Sequence, residues 1–271
     1  MEEFFVKEDI YDENGTLLIR KGEVIGKPVA ERIKKHKVSM QALTRIVNAN
    51  SQIVTPVDKE RFIRKFQIKN EKMIDYPNMI LGNIIFESKE KPWWLHVRLL
   101  SNYIDWLYTH SLETALISLM IGIQLNYTCD QLWNLGLGAL LHDTGEMLIP
   151  KEVLNRPGPL SEIEKAMMRQ HCELGAKSLR SYNLNEECID IVLHHHERLD
   201  GSGYPYGLKE NKISLNCQIV MIADIVDSVT SGRAYKSPKS MREAIIKIKN
   251  EKEKYSQDVL EILSSLSSVE V

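Results

Sequence analysis

The amino-acid sequence predicts a mainly helical protein with a small α/β module at its start. From residue 94 onward, apolar residues recur every three or four positions, the period of a helix with one buried face. The clearest example is the stripe of Leu112, Ala115, Leu116, Leu119 and Ile123. The first 55 residues instead place short apolar pairs among turn-forming residues, a pattern typical of short strands. We therefore predict a module over 1–58, a connecting helical segment over 59–93 and a helical domain over 94–271.

The N-terminal module is predicted from the contrast between its apolar residues and its turns. Ile10 and Leu17–Leu18 flank the residues Asp12-Glu13-Asn14-Gly15, which favour a tight turn between two short strands. Residues 29–37 are predicted to form one short helix, and Pro56 marks the exit from the module. The module carries no motif that assigns a function, so a regulatory and a dimerising role are both open alternatives. The corresponding partners are a signalling protein and a second copy of the chain.

Proline and capping signals delimit the rest of the chain. The connecting segment has a mixed amphipathic pattern, with breaks predicted at Pro77 and Pro92. In the helical domain, three Ser or Thr residues are followed three positions later by Gln or Glu, the spacing of a helix-starting capping box. These pairs are Thr128–Gln131, Ser161–Glu164 and Ser240–Glu243. Together with the apolar stripe they predict at least five helices after residue 94, interrupted by turn-rich loops at 155–160 and 200–214.

Composition excludes several classes of protein. The chain has 271 residues, of which 43% are hydrophobic and 27% charged, and its net charge is -2, which is typical of a globular protein. Such a balance lacks the surplus of Lys and Arg that binds a nucleic-acid polymer. The acidic start does not resemble a secretory signal, and the most apolar stretch, Leu112 to Leu125, is too short to span a bilayer. We therefore expect a cytoplasmic protein without membrane insertion.

Histidines are concentrated in the middle of the helical domain. Six of the eight lie between residues 110 and 196, at positions 110, 142, 171, 194, 195 and 196. Imidazole nitrogens bind zinc, iron or manganese, and carboxylates complete such sites or bridge two ions. Asp143 directly follows His142, and Asp224 and Asp227 lie three apart on a helical stretch. Their combination predicts a mixed His/Asp site with room for two metal ions, whereas each residue alone is more typical of a core, capping or surface role.

The predicted helices supply these side chains from separate segments. His110 is predicted to open one helix, His142 to end another, and His171 to lie inside the helix that Ser161 caps. The run 194–196 is predicted to end a further helix. Three consecutive residues cover roughly 200° of a helix, so only two of these histidines can face one site. Convergence of several helices on one cluster is typical of a site in the core of a helical bundle.

The motifs occur in a characteristic order. They are LHDTG at 141–145, IP at 149–150, RPG at 156–158, His171 with Gly175, HHERLDGSGYP at 195–205, ADIVD at 223–227 and RAYK at 233–236. In this order they resemble the HD-GYP family of cyclic-di-GMP phosphodiesterases. The resemblance covers about residues 94–240 and implies a helical HD-type domain. It also implies a binuclear metal site with two divalent ions, iron or manganese; zinc is compatible with the ligand types.

The resemblance assigns roles to individual residues. The implied metal ligands are His110, His142, Asp143, His171, His195, His196 and Asp224, with Asp143 bridging the two ions. The implied catalytic residues are His142, Asp143 and Asp224. The implied substrate-binding residues are Gly203, Tyr204, Pro205, Arg233 and Lys236. The implied activity is hydrolysis of cyclic-di-GMP to linear pGpG, to GMP or to both, in bacterial second-messenger signalling.

Two positions depart from the family pattern. Glu146 occupies the place of a lysine that lies near the substrate phosphates, and Trp106 occupies the place of a carboxylate that accompanies a third ion in some members. Glu146 favours an alternative, in which a catalytically weak or degenerate domain acts as an effector that binds cyclic-di-GMP or a protein. A second alternative is an HD-superfamily hydrolase of another nucleotide, although the loop at 201–205 argues against it.

Overall fold

The computed structural model describes residues 9–11, 17–20, 57–89, 91–232 and 237–269. Two strands, Ile10–Tyr11 (β1) and Leu17–Ile19 (β2), form an antiparallel pair. The α-helices of the described residues are Lys59–Phe66 (α1), Lys72–Ser88 (α2), Trp94–Tyr103 (α3), Asp105–Gln124 (α4), Cys129–Leu141 (α5), Lys151–Leu154 (α6), Glu162–Arg169 (α7), His171–Arg180 (α8), Glu186–His194 (α9), Leu215–Ser231 (α10), Met241–Asn250 (α11) and Gln257–Leu266 (α12). Short 3-10 helices lie at Thr144–Leu148 and Glu210–Lys212.

The prediction of a mainly helical fold is confirmed, whereas the predicted N-terminal α/β module is not supported. Of the first 56 residues the structure describes only β1 and β2 with the adjoining Asp9 and Arg20, and the two strands pair antiparallel; the predicted turn at 12–15 lies outside the described residues. The helix predicted at 29–37 lies outside the described residues. The part of the N-terminus that the structure describes is therefore one strand pair and not a complete module.

The predicted connecting segment is helical, but Pro77 does not break it. Pro77 lies inside α2 as its sixth residue, where the missing N–H removes one backbone hydrogen bond. Packing of the apolar face offsets this loss, because Leu81 and Ile84 of the same helix are fully buried. Phe62 and Phe66 of α1 are buried in the same core as the later helices. The helices α1 and α2 therefore pack as part of the core.

Local signals at helix starts agree with the structure. All three predicted capping boxes are present, at the first residues of α5, α7 and α11. In each, the side chain of the capping residue accepts a hydrogen bond from the backbone three residues later, and the Gln or Glu accepts one in return. The turn-rich loops at 155–160 and 200–214 separate α6 from α7 and α9 from α10.

The long helices α4, α5, α9 and α10 form the centre of the fold. The helix α4 packs against both α5 and α10, and α9 packs against α5. Leu116 and Leu119 of α4 are fully buried at these contacts. None of the described helices is both long enough and apolar enough to cross a lipid bilayer. The packing brings the ends of α5 and α9 next to the side of α4 and the middle of α10, where the candidate site lies.

Candidate metal centre

The structure brings the seven predicted ligands together in the protein interior. They form two groups, each with ligand atoms within 4.8 Å of one another. The first, which we call the α4 group, contains His110, His142 and Asp224, and the second, the α8 group, contains Asp143, His171, His195 and His196. All are buried except His196, which is partly buried.

Two of these histidines occupy helix positions that differ from the prediction. His110 lies in the second turn of α4 and does not open the helix, because α4 begins five residues earlier at Asp105. His171 is the first residue of α8 and does not lie inside the helix that Ser161 caps, because α7 ends at Arg169. His142 and His195 lie immediately after the ends of α5 and α9. The side chains therefore come from helix ends and from helix sides.

Asp143 lies between the two groups and faces both. Its Oδ2 atom is 3.2 Å from Nε2 of His142 and 3.5 Å from Nε2 of His110. Its Oδ1 atom is 3.4 Å from Nε2 of His171 and 3.4 Å from Nε2 of His195. One carboxylate thus presents one oxygen to each group, which is the arrangement that a bridging ligand requires.

Three histidines are oriented by the backbone of their own segment. In each, Nδ1 lies within hydrogen-bond distance of a carbonyl oxygen three residues earlier in the chain. The distances are 2.7 Å from His142 to Ala139, 2.7 Å from His171 to Met168 and 3.0 Å from His195 to Val192. A ring that donates its Nδ1–H in this way leaves Nε2 as the unprotonated nitrogen, the form that binds a metal.

His110 is oriented differently, by a side chain from another helix. Its Nδ1 atom is 2.5 Å from Oδ2 of Asp227 in α10. Burial would lower the pKa of His110, but the nearby carboxylates of Asp143, Asp224 and Asp227 outweigh it and raise the pKa well above its usual value. The sequence draws attention to Asp227 only through its spacing, three residues after Asp224, and does not reveal this role.

The chemistry of the cluster fits a divalent metal. Three of its buried atoms have no hydrogen-bond partner: Nε2 of His110, Nε2 of His142 and Oδ1 of Asp143. Buried polar atoms are rarely left in this state without a reason such as an ion. Nitrogen from imidazole and oxygen from carboxylate are ligands of zinc, iron and manganese. The residues present therefore fit the metal that the motifs predict.

The protonation states of Asp143 and of His171 in the α8 group also suit ligands. Burial opposes ionisation of Asp143, but the charge of His142 and the close approach of the His110, His142 and His195 rings hold its pKa well below the usual value. Burial lowers the pKa of His171 to about 4, partly offset by Asp143, so its imidazole is neutral. An ionised carboxylate and a neutral imidazole are the forms in which these groups bind metal.

His194 lies outside the cluster, so two of the three consecutive histidines face it. The Nδ1 atom of His194 is 2.7 Å from Oδ1 of Asp190 on the same helix. Asp190 also accepts hydrogen bonds from Ser214 at 2.6 Å and from Cys217 at 3.2 Å. These contacts connect α9 to the start of α10. They give the Asp190 carboxylate its hydrogen-bond partners, so no bound ligand is needed to explain its position.

The loop at 201–205 borders the α8 group. The ring of Tyr204 lies 4.7 Å from the ring of His196, and the guanidinium of Arg169 lies 5.4 Å from the centre of the tyrosine ring. A Cβ atom at Gly203 would come within 2.4 Å of the backbone at Glu197 and Arg198, so only glycine fits there. The loop is therefore packed tightly against the end of α9.

Glu197 anchors this loop, a role that sequence reasoning missed. Its side chain is fully buried and accepts hydrogen bonds from the backbone N–H groups of Tyr206 at 2.7 Å and Leu208 at 3.0 Å. In the sequence, only the position of Glu197 directly after His195 and His196 indicated that it has a role near the site. Pro205 follows Tyr204 through a cis peptide bond.

Gly145 sets the distance between the residues around Asp143 and helix α8. A Cβ atom at this position would lie 1.9 Å from the carbonyl oxygen of His171 and 2.7 Å from the backbone nitrogen of Gly175. The 3-10 helix that contains Gly145 therefore contacts the backbone of α8 directly. This contact places His171 against Asp143.

Glu146, Arg233 and Lys236 are singled out in the sequence but are not among the predicted ligands. Glu146 is buried in the same 3-10 helix. Glu146 lies beside the cluster, because its backbone N–H donates a hydrogen bond to the carbonyl oxygen of Asp143 at 2.9 Å. Burial raises the pKa of the Cys172 thiol, and the negative charges of Asp143, Asp224 and Glu146 raise it further. Arg233 and Lys236 lie outside the described residues.

Comparison with known proteins places the chain in a family. The sequence model described as HD domain matches residues 95–259. A cyclic di-GMP phosphodiesterase of Pseudomonas aeruginosa is 37% identical over 142 residues, which are 52% of this chain and 34% of that protein. A cyclic di-GMP phosphodiesterase of Thermotoga maritima is 36% identical over 174 residues, which are 63% of this chain and 47% of that protein. The chain thus spans less than half the length of either relative.

A solved structure shares the fold. Bd1817 of Bdellovibrio bacteriovorus, described as an HDG"Y"P protein, aligns with a TM-score of 0.53 and 18% identity over 97% of this chain and 94% of its own. At this identity the alignment supports the fold alone. The family match covers more than half of the chain and contains all seven predicted ligands. The chain therefore belongs to the HD domain family, as its resemblance to the HD-GYP members predicted.

Proposed function

We propose that the protein is a metal-dependent phosphodiesterase that hydrolyses cyclic-di-GMP to linear pGpG, GMP or both, as part of bacterial second-messenger signalling. The observation that carries this proposal is the position of Asp143, with one carboxylate oxygen toward each group of histidines. Relatives that share the HD domain and are named cyclic di-GMP phosphodiesterases support the choice of substrate.

The proposed site holds two ions. His110, His142 and Asp224 bind one, His171, His195 and His196 bind the other, and Asp143 is shared. Iron or manganese is the proposed metal, and zinc fits the same ligands. When bound, such ions lower the pKa of water and stabilise negative charge on phosphoryl oxygens.

The chain's own side chains hold and orient the reacting groups. We propose His142, Asp143 and Asp224 as the catalytic residues, because they would hold the ions that supply this chemistry. Burial of the cluster excludes bulk water and strengthens its electrostatic interactions. The roles proposed for Arg233 and Lys236 are contacts with the substrate phosphates.

The loop at 201–205 is the proposed contact for the nucleotide. Gly203 lets the loop pack against the end of α9, Tyr204 lies beside His196 at the edge of the α8 group, and Pro205 is the next residue of the same loop. An aromatic side chain in this place can stack on a base of the substrate. The guanidinium of Arg169 near the Tyr204 ring adds positive charge at the same edge.

Glu146 favours a second candidate function, a domain that binds cyclic-di-GMP or a protein partner with little or no hydrolysis. Its side chain is buried beside the cluster, at the position where the family pattern has a lysine that would attract the substrate phosphates. In this alternative the ligands still bind metal, because Glu146 is not among them.

One experiment separates these functions. The full chain, loaded anaerobically with Mn²⁺ or Fe²⁺, is incubated with cyclic-di-GMP; anion-exchange chromatography measures cleavage and calorimetry measures binding. Cleavage that is absent from Asp143→Ala supports the phosphodiesterase. Binding without cleavage supports the effector. Parallel incubations with other cyclic dinucleotides test the second alternative, which is supported if one of them is cleaved and cyclic-di-GMP is not.

A further inference from the structure

Helix α1 lies outside the matched HD domain and still reaches the side chains that support the metal centre. The Nζ atom of Lys65 is 2.5 Å from Oδ1 of Asp227 and 2.5 Å from Oγ of Ser231, both in α10. The same ammonium is 2.5 Å from Oε2 of Glu113 in α4, one turn after His110. Lys65 therefore joins α1 to the two helices that carry His110 and Asp224.

The contacts continue from Lys65 to the ring of His110. Asp227 contacts Lys65 through Oδ1 and His110 through Oδ2, each at 2.5 Å. The side chains of Asp227 and Glu113 are 0% and 1% exposed, and that of Lys65 is 14% exposed. A buried carboxylate of this kind needs a cation beside it, because an uncompensated buried charge is strongly destabilising.

We propose that Lys65 is a positioning residue for His110, acting through Asp227. The ammonium keeps the Asp227 carboxylate in place, so that Oδ2 accepts the Nδ1–H of His110 and the ring presents Nε2 to the metal site. Outer partners of metal-binding histidines act in this way. The inference rests on the proposed function in one respect, the assignment of Nε2 of His110 as a ligand. The functional unit of this chain then begins before residue 95, at α1.

The chain offers a matched control on the same helix. Lys59, also in α1, forms an ion pair of 2.6 Å with Asp75 of α2, and both side chains are about one-third exposed. Replacing Lys59 removes a lysine and an ion pair from α1 without touching Asp227. A difference between the two lysine variants therefore measures the contact with Asp227 rather than the packing of α1.

The test uses Co²⁺ as the probe, because its visible absorption reports the number and type of ligands. The full-length wild type and the variants Lys65→Met, Lys65→Arg and Lys59→Met are titrated, and circular dichroism checks their folding. We expect two Co²⁺ ions in the wild type and in Lys59→Met. We expect Lys65→Met to weaken one of the two by about tenfold, the lower end for outer partners, and Lys65→Arg to restore it. If Lys65→Met does not fold, Lys65→Gln replaces it.

A second measurement does not depend on metal. The Nδ1–H proton of His110, hydrogen-bonded to a buried carboxylate, exchanges slowly and is observable by proton NMR in the metal-free protein. We expect this signal in the wild type, in Lys59→Met and in Lys65→Arg, and its loss in Lys65→Met or Lys65→Gln.

The two measurements distinguish failure of this inference from failure of the proposed function. If the neutral Lys65 variant titrates like Lys59→Met, or keeps the His110 proton signal, the inference is overturned. If the wild type binds no Co²⁺, the proposed function loses its basis, and the proton signal alone decides the role of Lys65: its loss upholds the link to His110 and its persistence overturns it.

Discussion

The histidines of the metal centre are supported in two different ways. His142, His171 and His195 each donate Nδ1–H to a carbonyl oxygen three residues earlier, so their own segments orient their rings. His110 is instead held by Asp227, which comes from α10 and is in turn held by Lys65 of α1. One part of the centre is thus built from local backbone geometry, and the other from buried charges on three helices.

This difference determines which substitutions each part of the metal centre tolerates. A backbone carbonyl is present whatever the side chain, so local support is lost only when the backbone moves. Support through Asp227 depends on two particular side chains and on the packing of α1 against α4 and α10. His171 and His195 of the α8 group both have local support, so we expect a backbone change beside α8 to damage that group. In the α4 group His142 also has local support, so we expect a side-chain change at Asp227 to act there through His110 alone. Asp143 contacts histidines of both groups, so the distinction between the groups does not apply to it.

The largest effect is expected from Asp143→Ala. Because its two oxygens face the two groups, its removal takes a ligand from both, and we expect metal content and hydrolysis of cyclic-di-GMP to fall together below detection. Inductively coupled plasma mass spectrometry measures the metal content. Asp258→Ala, which removes an exposed carboxylate from the first turn of α12, is the control. Unchanged stoichiometry in Asp143→Ala would show that the carboxylate is not shared.

A backbone change tests the local part of the centre. In Gly145→Ala the new Cβ atom would lie 1.9 Å from the carbonyl oxygen of His171, so the 3-10 helix and α8 must separate. We expect a loss of about 1–3 kcal/mol in the free energy of unfolding, as for overpacking elsewhere, and weaker binding of the ion at the α8 group. Chemical denaturation and Co²⁺ titration measure the two effects.

Gly122→Ala is the matched control for this change. There the nearest atom to a new Cβ is the terminal Cδ2 of Leu135 at 2.9 Å, which can move, and alanine favours the helix. We expect Gly122→Ala to bind metal as the wild type does. Equal metal binding by the two alanine variants would contradict the role given to the Gly145 contact.

A side-chain change tests the non-local part. Asp227→Asn preserves shape but removes the charge between Lys65 and His110, and we expect one of the two ions to bind about 10- to 100-fold more weakly, the usual effect of an outer partner. Calorimetric titration with Mn²⁺ measures it. Asp75→Asn, which breaks the ion pair with Lys59, is expected to leave both ions unaffected. If Asp227→Asn weakened the binding of both ions equally, the locally and non-locally supported parts of the centre would not be independent.

The same distinction explains what could be predicted from the sequence. The capping boxes and the helix end at His142 were predictable because each depends on residues within one turn of the helix. The motifs were also sufficient to propose all seven ligands. The contact between Lys65 and Asp227 joins residues 162 positions apart, and nothing in the local pattern of α1 distinguishes Lys65 from its neighbours. The continuity of α2 through Pro77 was missed for a related reason, since tertiary packing outweighs the local cost of proline.

The smallest effect is expected from Glu146→Lys, which changes the charge beside the centre and not its ligands. At an effective dielectric of about 20 and roughly 4 Å, one contact between unit charges amounts to about 4 kcal/mol before screening. Even a quarter of that value is a several-fold change in rate or affinity. Because the substrate is doubly anionic, we expect Glu146→Lys to raise turnover of cyclic-di-GMP, or affinity for it, several-fold, with unchanged metal content.

Glu146→Gln removes the negative charge without adding a positive one and should give a smaller gain in the same direction. If Glu146→Lys gains activity and Glu146→Gln does not, attraction of the substrate by the ammonium is the cause. If both variants lose metal, Glu146 supports the ligands, and its effect cannot be explained by its charge toward the substrate.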